Sequence, residues 1–523
     1  MKGKKIVSTL LALLLLASLP VSALAAEWDI SKGDITVNAG SGGQTVTQGS
    51  QVDIPDSAPV ITGSSTDNTL TINAEKDQTA SVTLSGANID VSGAGKAAVS
   101  TTGEGNVSIE LNGENTLKSG EDHAGLEKNN GGSLTIQDED KNGKLTAVGG
   151  DWGAGIGEGC YEGNGNNIAI SGGEVTAIGG RGGAGIGGGT GGNGNNIAIT
   201  GGEVTAIGGL QGAGIGGGRE GDGSDITISG GEVTAIGGEE GAGIGGGRDG
   251  NGNNIAISSG VVTAIGGYNG AGIGGGAAGI GNNIAISGGE VKAIGGVSGA
   301  GIGGGCHGYG NNITVSGAAK LKVQGGVEDD VDGVGAGIGD GGSNADGSYF
   351  GGSPVPGAEV EPDISGLTTG RIEYYAPGAD MEKDKPTSTT FGTSSQPEKP
   401  IEPAVPEQPE AERGMDAPLY RVTDRDGRDM AYMVEQTGGV QTVTVDADFA
   451  VLTGSLSDMA ALRAQGVEKL VFVTKGATSA FLLSDLLGKG ESGESYWLTH
   501  DGKAVTFTLG EGMADVSAIL TKP

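Results

Sequence analysis

The chain has 523 residues, of which 112 are glycine and only 3% are aromatic, and its formal net charge is −34. This charge argues against binding to nucleic acid or to an anionic membrane surface, because both are held by clustered lysine and arginine. Glycine at this level without a Gly-X-Y period excludes collagen, and the periodic Ile and Val favour a folded chain over a disordered one.

Residues 1–25 have the organisation of a secretory signal peptide. Three lysines in the first five residues precede an apolar run over 6–19, and Ala23-Leu24-Ala25 has the small residues of a cleavage site. The apolar run is too short for a stable membrane span. We therefore expect a mature protein that begins near residue 26, is secreted or associated with the cell surface, and does not insert into a membrane.

Residues 27–60 precede the repeats, and we expect them to cap the open end of a solenoid, because a terminal unit needs a covered or polar outer face. Residues 61–150 alternate apolar and polar residues, as at Val107, Ile109 and Leu111, with Gly, Asn and Ser between the runs. This pattern predicts irregular early coils.

The next part of the chain is a 29-residue unit that recurs from Gly153 to about Gly326. Its anchor alanine stands at Ala154, Ala184, Ala213, Ala242, Ala271 and Ala300. Each unit holds three short β-prone runs separated by Gly and Asn, which turn a chain at little steric cost. Self-similarity at this period marks a solenoid, and three strands per unit predict coils of a right-handed parallel β-helix over residues 61–376.

Alternation assigns the side chains of each coil to its two faces. We expect Ile168 and Ile170 to point into the core, and Val175 and Ala177 to do the same in the following run. A row of threonines and lysines should then point outward: Thr146, Thr176, Thr205, Thr234, Thr263, Lys292 and Lys322. Such a row is a feature of surfaces that bind ice or crystalline polysaccharide, but the interleaved glutamates favour an ordinary solvated face.

Cys160 and Cys306 occupy the same position of the repeat, five coils apart. At roughly 4.8 Å per coil they lie about 24 Å from each other, whereas a disulfide requires a Cα separation of roughly 4.4 to 6.8 Å. We therefore expect two cysteines that do not pair with each other, or an intermolecular bridge.

Paired asparagines recur once per coil, at 166/167, 195/196, 253/254, 282/283 and 311/312. We interpret them as an internal ladder that satisfies backbone groups at the corners. The alternative is a peripheral calcium site with Asp222, Asp225 and Asp249 as ligands. The loop over 220–225 resembles a calcium-binding nonapeptide, but that fold needs tandem nine-residue repeats.

Two segments vary between the repeats. One lies just before the anchor alanine, and the other follows the glycine-rich run around that alanine, which is Gly183–Gly189 in one repeat. Because the run between them is mostly glycine, we expect a shallow groove with a glycine floor and variable rims. Aromatic and hydrogen-bonding side chains in such a setting are typical of a sugar-binding surface, whereas freely varying surface loops are the alternative. The candidate residues are Trp152, Tyr161, Arg219, Glu220, Arg248, Asp249, Tyr268, Asn269, His307 and Tyr309.

Residues 377–414 read as a proline-rich linker, because prolines recur every third residue from Pro397 to Pro409, as in polyproline II. From residue 415 to 523 glycine becomes less frequent and amphipathic helix patterns appear, which predicts a small α/β or α+β domain. We expect helices after Ser457, ending at Gly466, and over Thr478–Leu487, with a buried strand at Leu470–Val473 between them.

The repeat phrases Ile-Ser-Gly-Gly-Glu-Val-Thr-Ala-Ile-Gly-Gly and Gly-Ala-Gly-Ile-Gly-Gly-Gly resemble the glycine-rich repeats of secreted and surface proteins of gut Clostridia and related Firmicutes. More distantly, the chain is similar to a bacterial carbohydrate-binding β-helix family related to polysaccharide lyases. The resemblance covers roughly residues 60–350 and implies binding of plant-type or acidic polysaccharides, with calcium in some members. It assigns no site residue to a matched position.

We therefore expect a secreted, monomeric, non-enzymatic β-helix that binds a polysaccharide or surface glycan, with no cofactor unless calcium takes part. Two alternatives remain open. A polysaccharide lyase or other carbohydrate-active enzyme needs a basic residue beside acidic ones, and Arg219/Glu220 and Arg248/Asp249 are stacked neighbours of that kind. A structural stalk would present the C-terminal domain instead.

Overall fold

The computed structural model describes residues 25–161, 166–326, 333–344, 354–392, 420–425, 430, 432–464, 466–490, 494–510 and 514–520. The chain divides into two compact units, residues 1–401 and 402–523, which we describe separately. The predicted signal peptide, apart from residue 25, and the proline-rich stretch over 397–409 lie outside the described residues.

The first unit is a parallel β-helix with three sheets, which we name A, B and C. Sheet A contains Glu27–Asp29, Val60–Thr62, Thr79–Ser85, Asn106–Asn112, Leu134–Gln137, Ile168–Ile170, Gly194–Ile199, Gly223–Ile228, Gly252–Ile257, Gly281–Ile286 and Gly310–Val315. Sheet B contains Ile35–Gly40, Gly43–Gln48, Gln51–Pro55, Leu70–Ala74, Val99–Gly103, Leu126–Lys128, Ile156–Gly157, Ile186–Gly187, Ile215–Gly216, Ile244–Gly245, Ile273–Gly274, Ile302–Gly303 and Ile338–Gly339. Sheet C contains Ser64–Ser65, Asn88–Asp90, Glu114–Lys118, Lys144–Val148, Glu174–Ile178, Glu203–Ile207, Glu232–Ile236, Val261–Ile265, Glu290–Ile294, Lys320–Gln324, Arg371–Tyr375 and Ser388–Phe391.

Equivalent residues of successive repeats pair with each other, which confirms the predicted coil. Val175 lies opposite Val204, and Val204 opposite Val233, in parallel register. Ile168, Ile170, Val175 and Ala177 are all buried, as alternation predicts. The core is therefore a continuous stack of aliphatic side chains that runs from Trp28 to Ile372.

Glycine is required where the backbones of adjacent coils come into contact. A Cβ atom on Gly183 would lie 2.0 Å from the carbonyl oxygen of Gly153, and one on Gly187 would lie 2.1 Å from that of Gly216. Gly187 also has a φ of +129°, which disfavours any other residue. The glycine content therefore follows from the close stacking of coils.

Antiparallel strands extend the β-helix at both ends. Gly43–Gln48 and Gln51–Pro55 form a hairpin that extends sheet B beyond Ile35–Gly40. At the other end, Ser388–Phe391 pairs with Arg371–Tyr375 in sheet C. The first unit thus continues past residue 376, and the prediction that the linker begins at 377 is wrong, because Ser388–Phe391 belongs to sheet C. A 3-10 turn over Ile30–Lys32 and a small strand pair, Ser343–Asn344 with Pro354–Val355, complete this unit.

The strand register of sheet B gives the separation between the two cysteines. Five ladder steps in sheet B join Ile156 to Ile302, the strands that precede Cys160 and Cys306. At about 4.8 Å per step the two residues are about 24 Å apart, so they cannot form an intramolecular disulfide.

The second unit contains two sheets, D and E. Sheet D is antiparallel and contains Arg421–Thr423, Phe449–Ser455, Ser495–Asp501, Ala504–Leu509 and Ala514–Asp515. Sheet E is mixed and contains Met433–Thr437, Val440–Thr444, Lys469–Val473 and Thr478–Leu482. Helix α1 spans Leu456–Ala464, helix α2 spans Leu483–Leu487, and a 3-10 turn spans Ser517–Ile519.

Two local predictions for this unit are wrong in detail. Helix α1 begins two residues earlier than expected, because Ser455 and Asp458 form a reciprocal cap: Ser455 Oγ accepts from Asp458 N at 3.1 Å and Asp458 Oδ2 accepts from Ser455 N at 3.0 Å. The helix predicted over Thr478–Leu487 is helical only in its second half, since Thr478–Leu482 pairs with Lys469–Val473 in sheet E. The predicted buried strand at Leu470–Val473 is confirmed.

Candidate functional site

The two variable segments of the repeat are joined directly by backbone hydrogen bonds. In each case a backbone N–H just after the glycine-rich run donates to a carbonyl oxygen in the preceding coil. That carbonyl belongs to the segment before the anchor alanine. The bonds, at 2.7–2.9 Å, are Cys160 to Asp122, Thr190 to Trp152, Arg219 to Gly182, Arg248 to Gln211 and Ala277 to Glu240. We name the resulting surface the corner strip: residues 151–152, 181–182, 210–211, 239–240 and 268–269, together with 160–161, 190–191, 219–220, 248–249 and 277–278.

The predicted glycine floor is therefore wrong. The run Gly183–Gly189 is buried, and its backbone is covered by the neighbouring coils. Because the two variable segments are bonded to each other, no open floor separates them. The variable residues that were expected on opposite rims instead share one surface.

The structure separates the candidate residues along this strip. Trp152, Tyr161 and Arg219 lie near one end, whereas Tyr268 and Asn269 lie near the other. Four coils separate Trp152 from Asn269, which at about 4.8 Å per coil is about 19 Å. A single sugar unit cannot contact both ends, so only an extended chain could use the whole strip.

The first end of the strip contains an open cavity of about 680 Å³. Its walls bring together three predicted residues and four that the sequence reasoning missed: Asp122, His123, Trp152, Cys160, Tyr161, Thr190 and Arg219. One of the missed residues, His123, had a signal in the sequence, as did Glu127 next to it. His123 and Glu127 stand where the later coils have the packing glycines Gly153 and Gly157.

Aromatic side chains form two walls of this cavity. Tyr161 is 72% exposed, and its ring covers Gly191, where a Cβ atom would lie 2.6 Å from a ring carbon. Trp152 is half-buried and carries the Arg181 guanidinium 5.3 Å from its ring centroid. Such a cation–π contact holds the indole in place and leaves the cavity with a rigid apolar wall.

A buried carboxylate orients His123 at the cavity wall. Glu127 Oε2 lies 2.7 Å from His123 Nδ1 and accepts from Ala124 N at 3.1 Å, while Oε1 accepts from Asn129 Nδ2 at 2.9 Å. The Glu127 side chain is only 4% exposed, and that of His123 is 27% exposed. Since Nδ1 donates to the carboxylate, Nε2 of the neutral ring is left as an acceptor.

Other buried polar residues surround this coil. Thr101, Ser119, Lys128 and Asn130 are buried, and Asn130 Oδ1 accepts from Thr101 Oγ1 at 2.9 Å. Burial lowers the pKa of Lys128, whose Nζ donates to the carbonyl oxygen of Asn130 at 2.8 Å. Buried polar groups are costly unless they are satisfied. Lys128 and Asn130 line a separate cavity of about 490 Å³ and not the one at the end of the strip.

The middle of the strip is held by ion pairs. Arg248 contacts Glu240 Oε2 at 3.3 Å and Asp249 Oδ2 at 3.2 Å, and Gln211 Nε2 donates to the same Glu240 oxygen at 2.8 Å. In the adjacent coil, Arg219 Nη2 lies 3.0 Å from Glu220 Oε1. Arg219 and Arg248 are stacked as expected, but only Arg219 lines the cavity.

The remaining candidates lie at or beyond the far end of the strip. Tyr268 is 41% exposed and Tyr309 is 63% exposed, while Asn269 and His307 are half-buried. His307 belongs to the next coil, and its N–H donates to the carbonyl oxygen of Gly342 at 2.9 Å. These four residues form a polar, aromatic end that is separate from the cavity.

The asparagine ladder exists, but it lies on the outside. Asn167, Asn196, Asn254, Asn283 and Asn312 have φ values of 50–58°, and the side chains of the last four are exposed. The amide of Asn283 donates to Asn254 at 2.6 Å, that of Asn312 donates to Asn283 at 3.0 Å, and Asn196 donates to Asn167. A short second ladder satisfies the corner backbone instead: Asp222 N donates to Asn193 Oδ1, Asn251 N to Asp222 Oδ1 and Ile280 N to Asn251 Oδ1.

These ladders account for the aspartates that were considered as calcium ligands. Asp222 Oδ1 accepts from Asn251 N and Nδ2 at 2.7 and 3.1 Å, and Asp225 Oδ1 accepts from Asn254 Nδ2 at 3.0 Å. Asp249 pairs with Arg248. Within the described residues no three His, Cys, Asp or Glu side chains are grouped as a metal site, so this ligand set is not assembled.

The outer face of sheet C carries the threonine row in register, with Thr176, Thr205 and Thr234 opposite one another. Towards its end the row changes to lysines that form ion pairs. Lys322 Nζ lies 3.0 Å from Glu382 Oε2, and Lys292 Nζ lies 3.5 Å from Glu382 Oε1. These pairs are what a solvated, charged face would contain.

Comparison with known proteins supports the repeat assignment. Five segments match the family described as "Beta helix repeat", at residues 168–190, 197–219, 226–248, 255–277 and 284–306. No curated protein and no solved structure gives a match. Within the described residues we find no helix with the length and apolar character needed to span a membrane. The matched segments coincide with coils seen in sheets A to C, so the comparison and the structure agree that this part of the chain is a β-helix repeat.

Proposed function

We propose that the corner strip binds a polysaccharide or surface glycan, and that the chain does so as a secreted or cell-surface protein. The observation that carries this proposal is the juxtaposition of exposed Tyr161, Trp152 and polar side chains in one cavity of about 680 Å³. Aromatic faces stack on sugar rings, and hydroxyl groups of a sugar need nearby hydrogen-bond donors and acceptors. The β-helix repeat fold is consistent with a surface or carbohydrate-related role.

The geometry of the strip favours an extended ligand. It runs parallel to the stacking direction of the coils, and a polar or aromatic side chain recurs at each step of about 4.8 Å. The cavity at one end would hold one sugar unit, and Arg248, Tyr268 and Asn269 would contact units further along the chain. Binding would therefore strengthen with the length of the oligosaccharide.

The test uses the chain from residue 26 to 523 on a glycan array and in pulldowns with insoluble polysaccharides, with calcium and with chelator. Tyr161→Ala and Trp152→Ala should each weaken binding about 2- to 13-fold, since one stacked aromatic contributes about 0.5–1.5 kcal/mol. Phe391→Ala is the matched control, because Phe391 is 54% exposed but lies on the last strand of sheet C.

Equal losses in the control and in the two cavity variants would rule out the cavity as the binding site. If the intact chain bound no glycan at all, the β-helix would be better described as a stalk for the C-terminal unit.

A further inference from the structure

We propose that Cys160 is a catalytic thiol, activated by His123 and Glu127, that transfers or hydrolyses acyl esters bound in the cavity. The class of substrate, an ester-substituted sugar, rests on the proposed function. The thiol chemistry itself rests only on the side chains that the cavity brings together.

Cys160 and His123 lie side by side in adjacent coils. The backbone N–H of Cys160 donates to the carbonyl oxygen of Asp122, the residue before His123, at 2.7 Å. Both side chains line the same cavity, and Cys160 is half-buried. A thiol beside an imidazole is the arrangement from which a thiolate nucleophile forms.

Glu127 gives His123 the orientation and tautomer that a general base needs. Its buried carboxylate holds Nδ1 at 2.7 Å, so Nε2 is the nitrogen that accepts a proton. The carboxylate also stabilises the imidazolium once the thiol proton has moved. Glu127 acts through His123 and is therefore a positioning residue.

Two further groups in the cavity are suited to stabilise an oxyanion. Thr190 is 2% exposed, and its Oγ1 has no hydrogen-bond partner among the described residues. Arg219 Nε is likewise buried and lacks a partner in the described part of the chain. Unsatisfied buried donors are rare, and here both belong to residues that line the cavity beside Cys160.

Cys306 provides a comparison for Cys160 within the same chain. Cys306 stands at the same repeat position five coils further on, and its N–H donates to Asn269 O at 2.8 Å, just as that of Cys160 donates to Asp122 O. However, the residue after Asn269 is Gly270 instead of a histidine, and Cys306 is only 1% exposed. The two thiols therefore share a backbone setting, and they differ in exposure and in the residue at the position of His123.

The proposed reaction is a two-step acyl transfer. The Cys160 proton moves to His123 Nε2, the thiolate sulfur forms a bond to the ester carbonyl carbon, and the bond to the alcohol oxygen breaks as that oxygen takes the proton from His123. Water then attacks the thioester with His123 as base, releases the carboxylic acid and restores the thiol. Neither step requires an oxidant or a metal ion.

The first test is the pH dependence of iodoacetamide alkylation at Cys160 in the full chain, measured by mass spectrometry with N-acetylcysteine as the reference thiol. We expect alkylation of Cys160 to continue at pH values where an ordinary thiol, with a pKa of about 8.5, is protonated and unreactive. Glu127→Gln and His123→Gln should return the profile to the ordinary one. An ordinary profile in the unmodified chain would overturn the proposal, whether or not the variants fold.

The second test is hydrolysis of p-nitrophenyl acetate. Cys160→Ala should lower the rate by about 100-fold or more, and Cys306→Ala should leave it unchanged. Hydrolysis that survives Cys160→Ala, or no release of p-nitrophenol from the unmodified chain, would refute acyl transfer. Glycan binding is measured separately on Cys160→Ala, so loss of the sugar-binding proposal would be distinguished from loss of the thiol chemistry.

Discussion

The backbone N–H of Arg219 donates a hydrogen bond of 2.7 Å to the carbonyl oxygen of Gly182, a residue 37 positions earlier in the chain. The equivalent bond recurs along the β-helix and joins two segments that vary between repeats. The glycine-rich run between these segments is buried as a result. Sequence variation is thus concentrated on one surface, where side chains from adjacent coils act together.

The buried glycines should tolerate no added methyl group. A Cβ atom on Gly209 would lie 1.6 Å from the carbonyl oxygen of Gly180, so Gly209→Ala must separate the backbones of two coils. We expect a loss of several kcal/mol in the free energy of unfolding, measured by urea denaturation. Gly42→Ala is the control, because no atom lies within 4 Å of its added Cβ. Similar losses in both variants would contradict the stacking argument.

The outer asparagine ladder has an interruption that a single substitution should repair. Asp225 accepts from Asn254 Nδ2 at 3.0 Å, but its carboxylate has no N–H to donate to Asn196 in the preceding coil. Asp225→Asn keeps the left-handed backbone, since asparagine stands at the equivalent positions Asn196 and Asn254. We expect a gain of about 0.5–1 kcal/mol in the free energy of unfolding from the restored hydrogen bond.

The measurement for this ladder is a urea titration of the variant against the parent chain. Asp225→Ala is the comparison, because it removes the bond to Asn254 without adding one to Asn196, and it should destabilise. A variant Asp225→Asn that is no more stable than the parent would show that the exposed ladder contributes nothing.

The second unit should lose stability in mild acid because of His500. Its ring is fully buried between Thr474 Oγ1, 3.0 Å from Nδ1, and Ser479 Oγ, 2.7 Å from Nε2, and burial lowers its pKa from 6.5 to about 4. The folded state therefore binds fewer protons than the unfolded state between these values. The contribution of neutral His500 to the free energy of unfolding is fully present above about pH 6.5. It is lost as the pH is lowered towards 4, and the total loss is about 3 kcal/mol.

This loss can be followed by urea denaturation at a series of pH values, with Trp497 as the only tryptophan after Trp28→Phe and Trp152→Phe. Trp497 lies in the same strand as His500, so its fluorescence reports on the second unit. His500→Gln retains hydrogen-bonding capacity but does not titrate, and its stability should depend less on pH. An unchanged pH dependence in His500→Gln would assign the effect to other groups.

The β-helix was predictable from the sequence because its determinants are local and repeated. Alternation assigns Val175 and Ala177 to the core in one strand, and the 29-residue period brings Val204 and Ala206 to the same places in the next. The burial of these residues confirms the pattern. The C-terminal unit has no such repetition, and there the run Thr478–Leu482 became a strand because it pairs with Lys469–Val473. Its own apolar spacing had indicated a helix.

The sequence by itself determined the period, the core and the identity of the variable positions. Only the tertiary structure decided which of these positions meet. Trp152, Tyr161 and Arg219 share a cavity with His123 and Cys160 because backbone bonds between coils fix their relative positions, and Glu127 orients His123 because its carboxylate is buried under the same coil. The period determines which residues recur in every coil. The candidate site is formed by residues that depart from the repeat, and their relative positions depend on how neighbouring coils pack.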